Sequence, residues 1–296
     1  MRMTLNPRGV STVTGLAVML TLLSAAVCPA DRPAAVRVFV SVAPLATFVQ
    51  RVGGIRVEVQ TLVRPGHNPH LYEPTARQIA ALADADLFIR TGVPFEAAWM
   101  DRIRSVNADM PVLDVRDGIA LRMDDGHPDP HGSAHLDPHV WTSPPLAQHM
   151  ARLIRDALVD LDPEHRETYA AGFAAWAREL DALDREIRDR LAVLDNRRFM
   201  VYHPAWGYFA DTYGLTQIPV EHEGKEPGPR RIKELIDLAR RDGIKFIMVQ
   251  PQFSGKTAAT IAQAIEGRIV TADPMAIDYA DNMRRVTRLI VDNNAS

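Results

Sequence analysis

The chain contains a single cysteine, Cys28, among 296 residues. A disulfide needs two thiols, so a small fold stabilised by disulfides is excluded. No basic run is present, and 34 lysines and arginines nearly balance 37 aspartates and glutamates, which argues against nucleic acid as the main partner. Beyond the N-terminus, no stretch is apolar over the roughly 20 residues that a membrane span needs. What is present is 47% hydrophobic residues, an ordinary globular composition with enough apolar material for one or two domains.

Residues 1–30 have the pattern of an export signal peptide. Two arginines precede an apolar run of about 15 residues, and small residues then lead to a predicted cleavage site after Ala30. The position of Cys28 leaves a lipid anchor open as an alternative, although Val27 stands where a lipoprotein signal prefers Gly, Ala or Ser. We therefore expect residues 31–296 to work in the periplasm or elsewhere outside the cytoplasm. Any metal site there must use His, Asp and Glu rather than thiolates.

Short apolar runs alternate with helical segments along the rest of the chain, which is typical of parallel βαβ units. The pattern predicts an N-terminal lobe over residues 31–161 and a C-terminal lobe over residues 196–296, with about four strands each. Between them, residues 162–195 predict one helix of about 32 residues and about 48 Å, which begins at an N-cap Asp162 followed by Pro163. The expected fold is α/β, with two lobes that each contain a mainly parallel four-stranded sheet flanked by helices, joined by one long connecting helix.

Ten histidines are the main chemical feature of the sequence. His70, His139 and His203 each follow a strand or loop and precede a helix, with a proline beside them that stiffens the backbone. Loops at the carboxyl ends of parallel strands converge on one crevice, so these three imidazoles could meet and bind zinc or another late first-row ion. His149 and His165 lie among polar residues of predicted helices, and we interpret them as ordinary surface or hydrogen-bonded histidines.

A closed tetrahedral site needs a fourth ligand. Asp273 follows the last predicted strand, as the histidines follow theirs, and is the best carboxylate candidate. The alternative is that Asp273 caps the helix beyond it. Three further carboxylates remain rivals for the same place: Glu73, Glu221 and Glu223.

The segment 124–139 carries additional histidines, His127, His131 and His135, at every fourth position before His139, together with several carboxylates. Its prolines and its glycines prevent a continuous helix, so we predict a loop. Such a tract can bind metals weakly. The alternative is a solvated linker without function.

Several motifs are distributed over nearly all of the predicted mature chain: Asn68-Pro69-His70, Tyr72-Glu73-Pro74, Asp137-Pro138-His139-Val140-Trp141, His203-Pro204-Ala205, Gly224-Lys225-Glu226-Pro227 and Asp273-Pro274-Met275-Ala276. Together they resemble the zinc/manganese-type (cluster A-I) solute-binding proteins of bacterial ABC transporters, and most of all the zinc-binding members. The resemblance implies two α/β lobes on a rigid connecting helix. It also implies a metal site formed by His70, His139, His203 and a carboxylate at Asp273.

Other features of the resemblance bear on the metal. Zinc members commonly have a histidine-rich loop before the second ligand, where this chain has residues 126–137. Manganese members often have glutamate at the position of His203. A disulfide found in some zinc members is absent here, because the chain lacks a cysteine pair.

The resemblance leads us to expect a carrier, not an enzyme, that captures Zn²⁺ between two lobes and delivers it to the membrane permease of an ABC transporter. We expect a monomer with no nucleic-acid partner. A manganese or iron carrier of the same family is the nearest alternative, although three imidazoles favour zinc over manganese, which prefers oxygen ligands. Two alternatives from other classes are a surface adhesin and a secreted zinc hydrolase. The hydrolase would keep an open metal position for water beside a general base such as Glu73 or Glu223.

Overall fold

A computed structural model of the protein describes residues 35–64, 66–123, 136–221 and 225–294, which belong to one compact unit. The predicted signal peptide, the alternative lipid anchor at Cys28 and residues 124–135 of the histidine segment lie outside the described residues.

The described strands form two sheets of four. The strands of the first sheet are β1 (Val36–Val40), β2 (Val57–Thr61), β3 (Leu87–Arg90) and β4 (Val112–Asp114). Those of the second are β5 (Arg198–Val201), β6 (Thr216–Pro219), β7 (Phe246–Val249) and β8 (Arg268–Thr271). Neighbouring strands are all parallel, in the orders β2-β1-β3-β4 and β6-β5-β7-β8. The predicted fold of two parallel four-stranded sheets is confirmed.

Helices connect the strands and cover the sheets. In chain order they are α1 (Ala43–Gly53), α2 (Ala76–Ala81), α3 (Pro94–Val106), α4 (Pro144–Leu161), α5 (Arg166–Leu191), α6 (Gly207–Tyr213), α7 (Pro229–Arg241), α8 (Lys256–Ala264) and α9 (Tyr279–Asn294). Within the described ranges, none of them combines the length and the apolarity that crossing a bilayer requires.

The long helix between the two sheets is α5, which has 26 residues and is therefore about 39 Å long. It is shorter than predicted, because residues Pro163–His165 form a separate 3₁₀ turn before it and because the helix ends at Leu191. The Asp162 carboxylate does not cap a helix. It instead accepts hydrogen bonds from Arg56 and Tyr169 and lies 2.8 Å from His165 Nδ1.

The apolar core explains how α5 joins the two halves. One face of α5 is buried along its length, and the helix packs against α1 and α4 of the first half and against α9 of the second. Trp176, Leu183 and Ile187 on this face belong to an apolar core that extends from the first sheet to one side of the second. The lobes are therefore held together by shared burial as well as by chain connectivity.

Candidate metal centre

Three loops position the predicted histidine ligands. His70 lies in the connection from β2 to α2, and His203 lies shortly after the end of β5. His139 directly precedes a 3₁₀ turn, Val140–Thr142, that leads into α4. Parallel sheets collect such loops at the carboxyl ends of their strands, where ligands bind.

The structure brings these three side chains together. One ligand nitrogen from each ring lies within 4.8 Å of the others. The Nε2 atoms of His70 and His203 are 3.2 Å apart although the residues are 133 positions apart in the chain. His139 and His203 are each only 3% exposed, whereas His70 is half-buried.

One pair of these nitrogens has the spacing of a tetrahedral metal site. A Zn–N bond of about 2.0–2.1 Å places two nitrogens of a tetrahedral site about 3.3 Å apart. The Nε2 atoms of His70 and His203 are 3.2 Å apart, close to that value. When each ring carries its proton on Nδ1, both Nε2 lone pairs can bind one ion placed between them.

Buried carboxylates fix which nitrogen of two rings faces the metal position. His139 Nδ1 lies 2.8 Å from Asp137 Oδ1, and His203 Nδ1 lies 2.5 Å from Glu221 Oε1. An ionised carboxylate only accepts hydrogen bonds, so Nδ1 of each ring carries the proton and Nε2 keeps its lone pair for a metal. Burial opposes ionisation of Asp137, but hydrogen bonds from His139 and the charge of Arg122 outweigh it and lower the pKa of this carboxyl.

Further contacts hold the His203 loop. The His203 ring stacks on Phe253, with centroids 4.9 Å apart and an angle of 19° between the planes. The Gln250 amide donates to the His203 carbonyl at 2.7 Å and accepts from the His203 N–H at 3.3 Å. Both main-chain and side-chain positions of this ligand are thereby defined from the loop after β7.

Asp273 is not a member of the group whose ligand atoms lie within 4.8 Å of one another. Its Oδ1 accepts hydrogen bonds at 2.9 Å from the Gln252 side chain and from the Met275 backbone. The adjacent Pro274 carbonyl accepts a 2.8 Å hydrogen bond from the Trp141 indole, which ties this segment of the second half to the first.

The other candidates are placed as follows. Glu73 is exposed and is not in the histidine group, and Glu223 lies outside the described residues. His149 Nε2 lies 2.8 Å from the Asp117 carbonyl and His165 Nδ1 lies 2.8 Å from Asp162, so both are ordinary hydrogen-bonded histidines, as predicted.

Two carboxylates that orient histidines were not predicted from the sequence. Asp137 precedes His139 by two residues in Asp-Pro-His, and this spacing is a signal for an orienting partner. The sequence indicates Glu221 only as a rival ligand, and its contact with His203 has no signal there beyond a position just after β6.

Comparison with known proteins gives a zinc-uptake family and relatives named for zinc. The profile of the family described as ZnuA, zinc-uptake complex component A periplasmic, matches residues 38–293. The high-affinity zinc uptake system protein ZnuA of Bacillus subtilis is 30% identical over 233 residues, which cover 75% of this chain and 73% of that protein. The zinc-binding lipoprotein AdcA of Streptococcus pneumoniae is 30% identical over 230 residues, 74% of this chain but only 46% of AdcA, so the chain spans about half of that relative.

Relatives are not confined to proteins named for zinc. The iron-binding protein YfeA of Yersinia pestis is 29% identical over 241 residues, 79% of this chain and 76% of YfeA.

Among solved structures, a crystal structure of ZnuA shares 37% sequence identity and superimposes with a TM-score of 0.84, covering 88% of this chain and 99% of that one. Because the family profile matches most of the chain, the protein belongs to the ZnuA family of periplasmic zinc-uptake components.

Proposed function

We propose that this protein is the extracytoplasmic solute-binding component of an ABC transporter, and that it captures Zn²⁺ between its two lobes and delivers it to a membrane permease. The observation that carries the proposal is the convergence of His70, His139 and His203, whose ligand nitrogens lie within 4.8 Å of one another. Three neutral imidazoles suit zinc better than manganese, which prefers oxygen ligands.

The ligands come from both halves of the chain. His70 and His139 belong to the half that contains the first sheet, and His203 and Asp273 belong to the half that contains the second. A small separation of the lobes would therefore divide the ligand set and release the ion. This arrangement suits a carrier, which must give up its cargo, better than a hydrolase, which keeps its metal and leaves one position open for water.

Asp273 is our proposal for the fourth ligand. Both observed hydrogen bonds to its side chain are made by Oδ1, and Oδ2 is the oxygen that we assign to the metal. Binding requires the carboxylate to move closer to the histidines, since it is not within their 4.8 Å group. A water molecule is the alternative fourth ligand. Asp273→Asn distinguishes the two, because it should weaken zinc binding more if the Asp273 carboxylate binds the metal than if a water molecule does.

A titration of the purified, metal-free protein tests the proposal. We expect one tight Zn²⁺ per chain, weaker binding of Mn²⁺ and Fe²⁺, and no hydrolysis of model esters or peptides by the loaded protein. Alanine at position 70, 139 or 203 should weaken zinc binding at least about tenfold, or about 1.4 kcal/mol. A protein that binds no stoichiometric zinc would overturn the proposal.

An iron or manganese carrier is the second candidate, because a relative named for iron matches over a similar length of the chain. The variant His203→Glu provides the matched comparison, since it replaces one imidazole by oxygen ligands and leaves the other two. If zinc is the cargo, this change should lower the preference for Zn²⁺ over Mn²⁺. A wild-type protein that already prefers Mn²⁺ or Fe²⁺ would establish the second candidate instead.

A further inference from the structure

The guanidinium of Arg122 lies between acidic side chains of the two halves. On the side of the first sheet, Arg122 Nη1 donates to Asp137 Oδ2 at 3.2 Å, and the Asp137 side chain is only 1% exposed. On the side of the second sheet, Arg122 Nε donates to Asp211 Oδ2 of α6 at 3.0 Å. Arg122 itself is 19% exposed, so these two carboxylates face a largely buried charge.

The backbone of Arg122 is also fixed to Asp137 and to α6, here through Tyr208. The Arg122 carbonyl accepts the Asp137 N–H at 3.0 Å. The Tyr208 hydroxyl accepts the Arg122 N–H at 3.1 Å and donates to the Asp137 carbonyl at 3.0 Å. Tyr208 lies in the first turn of α6, so main-chain groups of the first half are held by a helix of the second.

The start of α6 leaves room for the guanidinium. A Cβ atom on Gly207 would lie 1.5 Å from Arg122 Nη1 and 2.8 Å from Asp137 Oδ2. Any side chain at this position would therefore displace the arginine from its two carboxylates. Glycine here serves close approach between the halves.

Asp137 connects this contact to the metal centre. Its Oδ1 contacts both the backbone N–H and the Nδ1 of His139, while Oδ2 is bound by Arg122. A carboxylate held at both oxygens cannot rotate without breaking one of these interactions, so Arg122 fixes the oxygen that orients the His139 ring. Mutation of a partner that orients a metal-binding histidine typically costs about 10–100-fold in metal affinity.

We propose that Arg122 is a positioning residue for the metal site, which holds Asp137 and through it His139 in place, and that its contact with Asp211 of the other half supports this position. The inference rests on the proposed zinc function and adds to it a link between lobe contact and ligand geometry. When α6 separates from the first half, the guanidinium loses the Asp211 carboxylate, and the orientation of His139 loses support at the same time.

The test uses Arg122→Met, Arg122→Lys, Asp211→Asn and the double variant Arg122→Met/Asp211→Asn in the full mature chain. Asp237→Asn is the matched control, because Asp237 is an exposed acid that pairs with Lys233 within α7. We expect Arg122→Met to weaken zinc binding about tenfold. Asp211→Asn removes an ion pair in which Asp211 is exposed, and it should weaken zinc binding about two- to fivefold. The zinc affinity of Arg122→Lys should fall between those of wild type and Arg122→Met, because lysine keeps the charge but lacks the planar guanidinium that binds two carboxylates.

Two readouts separate positioning from a general loss of stability. The visible absorption spectrum of the Co²⁺-loaded protein reports ligand geometry, and it should change in Arg122→Met but not in Asp237→Asn. The double variant should bind zinc no more weakly than Arg122→Met, since Asp211 acts only through Arg122.

Wild-type affinity and spectrum in Arg122→Met, or full additivity in the double variant, would overturn the inference while leaving the zinc function intact. If Arg122→Met does not fold, Asp211→Asn and Arg122→Lys decide the question by the same measurements. A wild-type chain that binds no zinc would overturn the proposed function and this inference together.

Discussion

The contact between Glu221 and His203 supports a prediction that separates a metal ligand from the group that orients it. Glu221 is 3% exposed, and its Oε1 lies 2.5 Å from Nδ1 of a ring that is equally buried. Glu221→Leu removes the hydrogen bond and the charge, whereas Glu221→Gln keeps an oxygen that can accept from Nδ1–H but removes the charge. The two variants therefore divide the role of this carboxylate into its parts.

The expected magnitudes follow from this geometry. Loss of a partner that fixes the tautomer and basicity of a ligand costs about 10–100-fold in metal affinity, or about 1.4–2.7 kcal/mol, and we expect Glu221→Leu in this range. A hydrogen bond to a charged group contributes about 1 kcal/mol more than a neutral one, so Glu221→Gln should weaken zinc binding only about fivefold.

Competition with a chromophoric chelator at about pH 7.5 measures both affinities. Glu186→Gln is the matched control, because Glu186 lies on α5, where it forms ion pairs with Arg190 and Arg284 that do not involve the metal site. Thermal melts of the metal-free variants show whether each remains folded.

The ordering of the two variants is the decisive result. If Glu221 were itself a metal ligand, Glu221→Gln would lose as much affinity as Glu221→Leu, because a neutral amide oxygen is a poor zinc ligand. Wild-type affinity in Glu221→Leu would refute the argument that this carboxylate sets the state of His203.

Four further predictions follow from the site and the fold. Protons compete with metal for imidazole, whose ordinary pKa is about 6.5, so zinc affinity should fall steeply below about pH 6; an affinity unchanged between pH 7.5 and 5 would contradict a histidine site. Excess zinc at about 1,000 times its dissociation constant should add about 4 kcal/mol to the free energy of unfolding, and melts that overlap with and without chelator would count against a tight site. Burial tends to raise the pKa of Asp162, but hydrogen bonds from three neighbouring side chains outweigh burial and lower this pKa. The stabilisation by the Asp162 carboxylate is therefore present above the ordinary carboxyl pKa of about 3.9 and is lost as the pH falls through the lower pKa of the folded state. Asp162→Asn should therefore reduce the free energy of unfolding by about 1–2 kcal/mol at pH 7, with the difference from wild type vanishing in stronger acid, and denaturant titrations at both pH values check this. Replacing His127, His131 and His135 together by alanine should leave one tight zinc per chain and remove only weaker binding in calorimetric titrations, and loss of the tight site would show that this segment supplies ligands.

The sequence was sufficient to predict the order of elements. Alternating short apolar runs and helical periods predicted about four strands in each half, and each half has a four-stranded sheet. These features are local: a strand buried on both faces is apolar throughout, and a helix on a sheet repeats its apolar residues every three or four positions. Proline beside each of three histidines marked rigid loops after strands for the same local reason.

The start of α5 was predicted wrongly because it depends on distant partners. Asp162 followed by proline has the local pattern of an N-cap, yet its carboxylate is occupied by Arg56 from the first half and by Tyr169 from the next turn. A short window of sequence does not show whether a side chain bonds to a nearby backbone N–H or to partners that are distant in the chain.

The chemistry of the site was likewise only partly contained in the sequence. Residue types and their positions in the sequence indicate His70, His139 and His203. The 3.2 Å approach of His70 to His203 exists only because α5 and the shared core hold the two halves together. The same packing places Glu221 on His203, leaves Asp273 bonded to Gln252, and puts Arg122 between carboxylates of both halves. Sequence determines which side chains can bind a metal, whereas the direction each one points depends on contacts between residues far apart in the chain, which tertiary structure alone decides.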